Sequence, residues 1–132
     1  MIETTRYAIT RIIGNELPPR DSPGTRLKVL KFIIDHEYVP KDACRLWLFN
    51  RVLKESYLAK LKDLLDQAGE RYIEESIDWP AYTSAHSHDE RLRILININK
   101  ARNRCVEEGR RLADFTIVLD GDCYFDKEAW TE

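Results

Sequence analysis

Residues 114–125 have the sequence DFTIVLDGDCYF, and this stretch decides the fold that we predict for the chain. Residues 115–119 form an unbroken apolar run that includes three β-branched side chains. A strand without polar alternation is typical of a parallel sheet that is covered by helices on both faces. We therefore expect a strand that is buried on both faces and that leads directly into Asp120.

The triplet Asp120-Gly121-Asp122 follows this strand. In open α/β sheets, ligands bind beyond the carboxyl ends of the strands, so the triplet stands where a site is expected. Two carboxylates one residue apart can share a hard divalent cation, which can in turn hold a diphosphate. The triplet also suits a plain turn, because Asp and Gly favour turns without any metal. From the triplet alone, the turn is the stronger interpretation.

Strand-like and helical patterns alternate along the rest of the chain. The predicted strands are Tyr7–Ile13, 44–49, 71–77 and 115–119, and the predicted helices are Thr25–His36, 58–68 and a segment around 101–112 that begins at Asn97 or Asn99. Residues 78–89 are predicted to form a polar loop, 91–98 a short helix or helical turn, and 127–130 the start of a further helix. This β-α-β-α-β-α-β order predicts an α/β fold with a mostly parallel sheet flanked by helices.

Composition limits the classes of protein to which the chain can belong. Its 132 residues, 43% hydrophobic and 33% charged, predict a single domain with one core. The net charge of -2 comes from interspersed acids and bases, so we expect no nucleic-acid partner. Three widely spaced cysteines predict free thiols in a reducing compartment. No apolar run approaches the roughly 20 residues of a membrane span, and a signal-peptide core is absent, so we expect a cytoplasmic protein.

Three short motifs occur in an order that resembles a known family. Residues 12–16 (IIGNE) end the first strand, residues 101–103 (Ala-Arg-Asn) lie on the helix before the last strand, and residues 120–122 form an Asp-x-Asp motif. This arrangement resembles the nucleotide-sugar-binding half of GT-A fold glycosyltransferases, a Rossmann-like fold, and the family 2 type in particular. The resemblance spans essentially the whole chain, and with it a metal–diphosphate site is favoured over a bare turn.

The resemblance implies a metal-dependent glycosyltransferase, or the part of one that binds the nucleotide-sugar donor. Asp122, and less directly Asp120, would hold Mg²⁺ or Mn²⁺ against the diphosphate, and the metal would neutralise charge on the leaving group. A helix N-terminus near Arg102 or Lys100 would add N–H donors for phosphate. The residues that would border the nucleotide are Ile13, Asn15, Glu16, Asn50, Arg102 and Asp120.

The chain also departs from the family pattern. The second strand ends in Asn50, where the family usually has an Asp that accepts a hydrogen bond from the base; an amide oxygen can accept that bond but supplies no charge. The glycine that often precedes the Ala-Arg-Asn helix is missing. In the family, the acceptor site and the catalytic base follow Asp-x-Asp, beyond Glu132, so we name no catalytic base. We expect the N-terminal part of a longer protein or a small homologue without its second half.

A second hypothesis is a non-catalytic module that keeps this fold for ligand or protein binding. In either case an open sheet edge would favour a homo-oligomer. Haloacid dehalogenase-type phosphatases and toprim-like nucleases also pair carboxylates after a strand. The position of the Asp pair at the end of the chain disfavours the phosphatase. The long spacing from Glu16 and the lack of a basic surface disfavour the nuclease.

Other candidate residues have weaker patterns. The segment 86–89 (HSHD) offers metal ligands, but without a further anchoring ligand a solvated loop is favoured. Cys123 is predicted to be a buried structural thiol, because no neighbouring His suggests activation. Arg11 and Arg20 flank the first loop, where they would either contact phosphates or lie on the solvated surface.

Overall fold

The computed structural model describes residues 5–16 and 22–130. Its strands are β1 (Tyr7–Ile13), β2 (Ala43–Asn50), β3 (Arg71–Glu75) and β4 (Phe115–Asp120). They form one sheet in the order β3-β2-β1-β4, and every neighbouring pair is parallel. The predicted α/β fold with a parallel, helix-flanked sheet is confirmed. The third strand ends at Glu75, two residues earlier than predicted.

In the described part of the chain, five helices connect these strands. They are α1 (Thr25–His36), α2 (Glu55–Ala68), α3 (Trp79–Ser84), α4 (His88–Ile96) and α5 (Ile98–Leu112), followed by a 3-10 turn at Glu128–Trp130. The bounds of α1 agree with the prediction, and α2 is followed by the C-cap residue Gly69, whose φ of 70° is left-handed. Asn97 occupies the N-cap position of α5, as predicted, but its side chain makes no capping hydrogen bond. Within the described ranges, no helix has the length and apolar content needed to cross a bilayer.

The two faces of the sheet have separate apolar clusters, because successive strand residues point to opposite sides. On one face, Trp47 and Phe49 of β2 pack with the buried side chains of α1 and α2. On the other face, Leu48 packs with Ala101 and Cys105 of α5. The helix α5 lies very close to the sheet, since a Cβ placed on Gly109 would be 2.5 Å from the Thr116 side chain.

The prediction that the last strand is buried on both faces is wrong. Among the described residues β4 pairs only with β1, so it is an edge strand. Its four middle residues are half-buried, and Phe115 is 55% exposed. The apolar run therefore reflects pairing with β1 and packing on α5 rather than a central position. The buried strands are β1 and β2.

The predicted polar loop at 78–89 is also wrong in its secondary structure. Asp78 accepts a hydrogen bond from the Ala81 N–H and so caps α3, and Pro80 lies in the first turn, where its missing N–H has no cost. The helix α4 then begins at His88, three residues before the expected segment. Neither helix packs deeply: α3 has no buried residue and α4 has one, Leu95.

Candidate functional site

A cleft of about 520 Å³ lies at the carboxyl ends of β1, β2 and β4. The chain places β2 and β3 on one side of β1 and then β4 on the other. Such a reversal of strand order leaves a crevice, and this is where open α/β proteins bind ligands. The volume is in the range of small-molecule pockets. The lining residues are Ile12, Ile13, Gly14, Asn15, Thr25, Arg26, Val29, Leu30, Asn50, Leu92, Leu95, Ile96, Ile98, Asp120, Gly121 and Asp122.

Most of the predicted site residues come together in this cleft. Glu16 and Arg102 are the two that do not line it. The predicted residues that do line it are Ile13, Asn15, Asn50, Asp120 and Asp122. They come from three separate strand ends, so the parallel sheet brings together positions that are far apart in the sequence.

The loop after β1 is held by its own polar side chains. The Asn15 amide donates to the Arg51 carbonyl at 2.8 Å and accepts from the Leu53 N–H at 2.7 Å. The Glu16 carboxylate accepts from the Gly24 N–H at 2.9 Å, at the start of α1. In this structure both side chains fix the loop, and Asn15 also borders the cleft.

Asn50 at the end of β2 is 4% exposed, and its amide is engaged inside the protein. The amide nitrogen donates to the Ile96 carbonyl, and the amide oxygen accepts from the Arg51 guanidinium. Arg51 has a φ of 51°, which is uncommon for a residue other than glycine. It lies 3.8 Å from Glu75, which also pairs with Arg104 at 2.6 Å. Asn50 thus connects the strand end to α4.

The Asp-x-Asp loop passes very close to β1. A Cβ on Gly121 would lie 2.8 Å from the Ile12 carbonyl oxygen, a distance that real Cβ atoms essentially never show. The Cys123 N–H donates to the Asp120 carbonyl at 3.1 Å and closes a tight turn. Both carboxylates remain exposed. The triplet therefore forms a turn, and this turn places Asp120 and Asp122 at the edge of the cleft. A turn and a ligand site are compatible here.

The donor atoms of this loop suit a hard divalent cation. One ligand atom each from Asp120, Asp122 and Cys123 lies within 4.8 Å of the other two. Carboxylate oxygens are preferred by Mg²⁺ and Mn²⁺, whereas a thiol suits softer metals. Cys123 is exposed, so the prediction of a buried thiol is wrong. The two carboxylates fit the implied ion chemically, although exposed acidic side chains are common without one.

Arg102 lies beside the Asp pair, outside the cleft lining. Its Nη2 is 3.7 Å from Asp120 Oδ1, and the two side chains are 52% and 73% exposed. Exposed ion pairs of this kind contribute little to stability because water and salt screen them. Arg102 therefore lies near the Asp120 carboxylate in an exposed ion pair.

Sequence reasoning missed the apolar wall of the cleft, which comes from α4. Leu92, Leu95 and Ile96 line it, at the i, i+3, i+4 spacing of one helix face. A sequence signal for the start of α4 lies just before the helix. Ser87 accepts from the Glu90 N–H at 3.1 Å, and Glu90 accepts from the His86 N–H at 2.8 Å, which is close to a capping box. The segment 86–89 is solvent-exposed, as predicted, but its last two residues, His88 and Asp89, already belong to α4.

Sequence reasoning also missed the buried pair of Arg11 and Glu37. The expectation that Arg11 meets phosphate or solvent is wrong: both side chains are fully buried and form an ion pair. Burial lowers the pKa of Arg11, and Glu37 opposes that shift. The Arg11 guanidinium also lies 5.1 Å from the centre of the Trp47 ring. Arg20 lies outside the described residues.

Comparison with known proteins adds no relative. No family model, curated protein or solved structure matches the chain. The case for function therefore depends on the cleft and on the motifs.

We expect Gly121→Ala to destabilise the protein by about 1–3 kcal/mol, because the new methyl group meets a backbone oxygen that cannot move aside freely. Urea unfolding measures the loss. Gly14→Ala is the matched control: it also lines the cleft, but its nearest foreign atom would be 3.8 Å away, and we expect a change within about 0.5 kcal/mol. Equal effects of the two substitutions would contradict the close approach of the loop to β1.

Proposed function

We propose that this chain binds a nucleotide-sugar donor through Mg²⁺ or Mn²⁺ and that it is a glycosyltransferase or its donor-binding part. The observation that supports the proposal most is the meeting of Asp120 and Asp122 with the ends of β1 and β2 in one cleft at the reversal of strand order. That is the place where α/β proteins bind nucleotides. Of the three motifs behind the family resemblance, the Asp-x-Asp motif and residues 12–15 of the IIGNE segment border this cleft.

The residues of the cleft divide into a polar and an apolar part. Asp120 and Asp122 would hold the metal, which would neutralise the negative charge of the donor diphosphate. The apolar wall of α4 and the side chains of Val29 and Leu30 on α1 would exclude water from the nucleoside. In this arrangement the diphosphate lies over the end of β4, and the nucleoside lies between α1 and α4.

Asn50 would act on the nucleoside mainly through its position. Both ends of its amide already have partners within the protein, Ile96 and Arg51. Its role is therefore to hold α4 against the strand end, so that the apolar wall faces the cleft. A base contact through the remaining lone pair of the amide oxygen is compatible with this role.

The test is thermal unfolding with UDP, GDP, ADP and CDP, each with Mn²⁺ and each with EDTA. A ligand that binds only the native state stabilises it by about 1.4 kcal/mol at ten times its Kd. For a chain of this size that corresponds to a rise of about 3–6 °C in Tm. We expect one diphosphate to give this rise with Mn²⁺ and no rise with EDTA.

The nucleoside monophosphate with the same base, also with Mn²⁺, is the control, since it lacks the second phosphate that the metal would bridge. A metal-independent rise would contradict the proposed site and favour the alternative, a binding module without catalysis. The absence of a rise with every diphosphate would argue against nucleotide binding by this chain.

A further inference from the structure

The segment after the Asp-x-Asp motif is held by two charged side chains from elsewhere in the chain. Arg11 Nε donates to the Cys123 carbonyl at 3.0 Å. Glu37 Oε2 accepts from the Phe125 N–H at 2.9 Å, and it also pairs with the Arg11 guanidinium. The Tyr38 N–H donates to the Phe125 carbonyl at 3.2 Å. Two of the three residues that follow Asp122 are thus anchored to β1 and to the end of α1.

The anchoring groups are themselves buried. Arg11 lies on a buried strand, and neither its side chain nor that of Glu37 has exposed surface. Arg45 is 3.6 Å from Glu37 and 2.5 Å from Glu70, so the pair belongs to a larger charged network. Arg11 Nη1 and Glu37 Oε1 are buried without a hydrogen-bond partner among the described residues, so the contacts to the loop are made by Arg11 Nε and Glu37 Oε2.

We propose that Arg11 and Glu37 are positioning residues that hold the Asp120–Cys123 loop in the geometry that binds the metal; this inference depends on the proposed function. Metal affinity depends on ligands that are already in place, because ordering them at binding costs free energy. Gly121 lets the start of the loop approach β1, and the buried pair fixes its end. The carboxylate of Asp122 lies between these two fixed points.

A purely structural role of Arg11 and Glu37 predicts a change in stability but no change in Mn²⁺ affinity. Replacing both members of a buried ion pair by apolar side chains is often neutral for folding, whereas here it would also remove the two hydrogen bonds to the loop. The variant Arg11→Met/Glu37→Met therefore separates the stability of the fold from the position of Asp122. It changes neither of the two carboxylates.

The experiment is calorimetric titration of the wild type and of this double variant with Mn²⁺. Hydrogen exchange of the Phe125 amide is also measured, in metal-free protein. We expect Mn²⁺ affinity to fall about tenfold or more, as for other residues that orient metal ligands. We also expect the Phe125 amide to exchange faster. Leu61→Ala, in the core on α2, is the control: it removes fully buried packing but leaves both hydrogen bonds to the loop in place, and we expect Mn²⁺ affinity to be unchanged.

Glu37→Gln is the conservative variant, because its amide oxygen can still accept from Phe125. We expect it to retain most of the Mn²⁺ affinity. If wild-type protein binds no Mn²⁺, either alone or together with each of the four nucleoside diphosphates, the proposed function is overturned and the positioning role with it. If the wild type binds and the double variant binds equally tightly, only the positioning role is overturned. A loss in Glu37→Gln as large as in the double variant would also overturn it.

Discussion

Replacing Glu37 alone by Met is expected to lower the free energy of unfolding by about 3–5 kcal/mol, since it leaves the buried guanidinium of Arg11 without its counterion. The Arg11 side chain has no exposed surface, and this burial lowers its pKa. For a chain of this size the loss corresponds to a fall of about 10–20 °C in Tm. Urea unfolding gives the free energy directly.

The double variant Arg11→Met/Glu37→Met should recover most of that loss, because no unpaired charge remains in the core. Asp35→Asn on α1 is the control for simple removal of an acid. Asp35 pairs with Lys31 at 2.9 Å, but the two side chains are 46% and 64% exposed, so we expect a change within about 0.5 kcal/mol. Equal losses in the single and double variants would contradict the need of Arg11 for Glu37.

The ion pair of Arg11 and Glu37 could not be predicted from the sequence. Arg11 and Glu37 are separated by 26 positions, and their side chains meet only because α1 ends beside β1. Nothing local distinguishes Arg11 from a surface arginine. The only hint was its position in a mostly apolar strand, where Thr10 precedes it and Ile12 follows it. Charges that pair across the core depend on the tertiary arrangement.

The main elements, by contrast, were predictable from local chemistry. The strand β1 and the helix α1 have the predicted bounds, because β-branched runs and helical spacing are strong local signals. The edge position of β4 was not predictable in this way. An apolar run suggests burial on both faces, but β4 is an edge strand that packs on α5 and is only half-buried. Strand order is a long-range property.

The candidate site was predictable to the extent that strand ends determine it. In a parallel sheet, Asn15, Asn50 and Asp120 must all emerge at the same edge, so their meeting in one cleft follows from the strands themselves. The wall that α4 forms was missed because the polar residues near 86–89 suggested a loop. The Ser-x-x-Glu spacing at Ser87 was the local signal that should have outweighed them.

The Asp pair gives the second large expected effect. Asp122→Asn should weaken Mn²⁺ binding by at least about 100-fold, because it replaces a charged ligand, and even residues that only orient ligands are worth 10–100-fold. The substitution should not destabilise the fold, since Asp122 is exposed and its removal relieves repulsion with Asp120. Calorimetric titration with Mn²⁺ measures the first quantity, and thermal unfolding in EDTA measures the second.

Asp126→Asn provides a control with the same change of charge in the same segment. Asp126 is exposed, accepts a hydrogen bond from the Ala129 N–H and lies outside the cluster of possible metal ligands, so its charge acts on the ion only through screened solvent. We expect it to change Mn²⁺ affinity by less than about twofold. A fall in Tm for Asp122→Asn without a change in Mn²⁺ affinity would assign this residue to the turn. Loss of affinity at an unchanged Tm would make it a metal ligand, and the second carboxylate could then be examined in the same way.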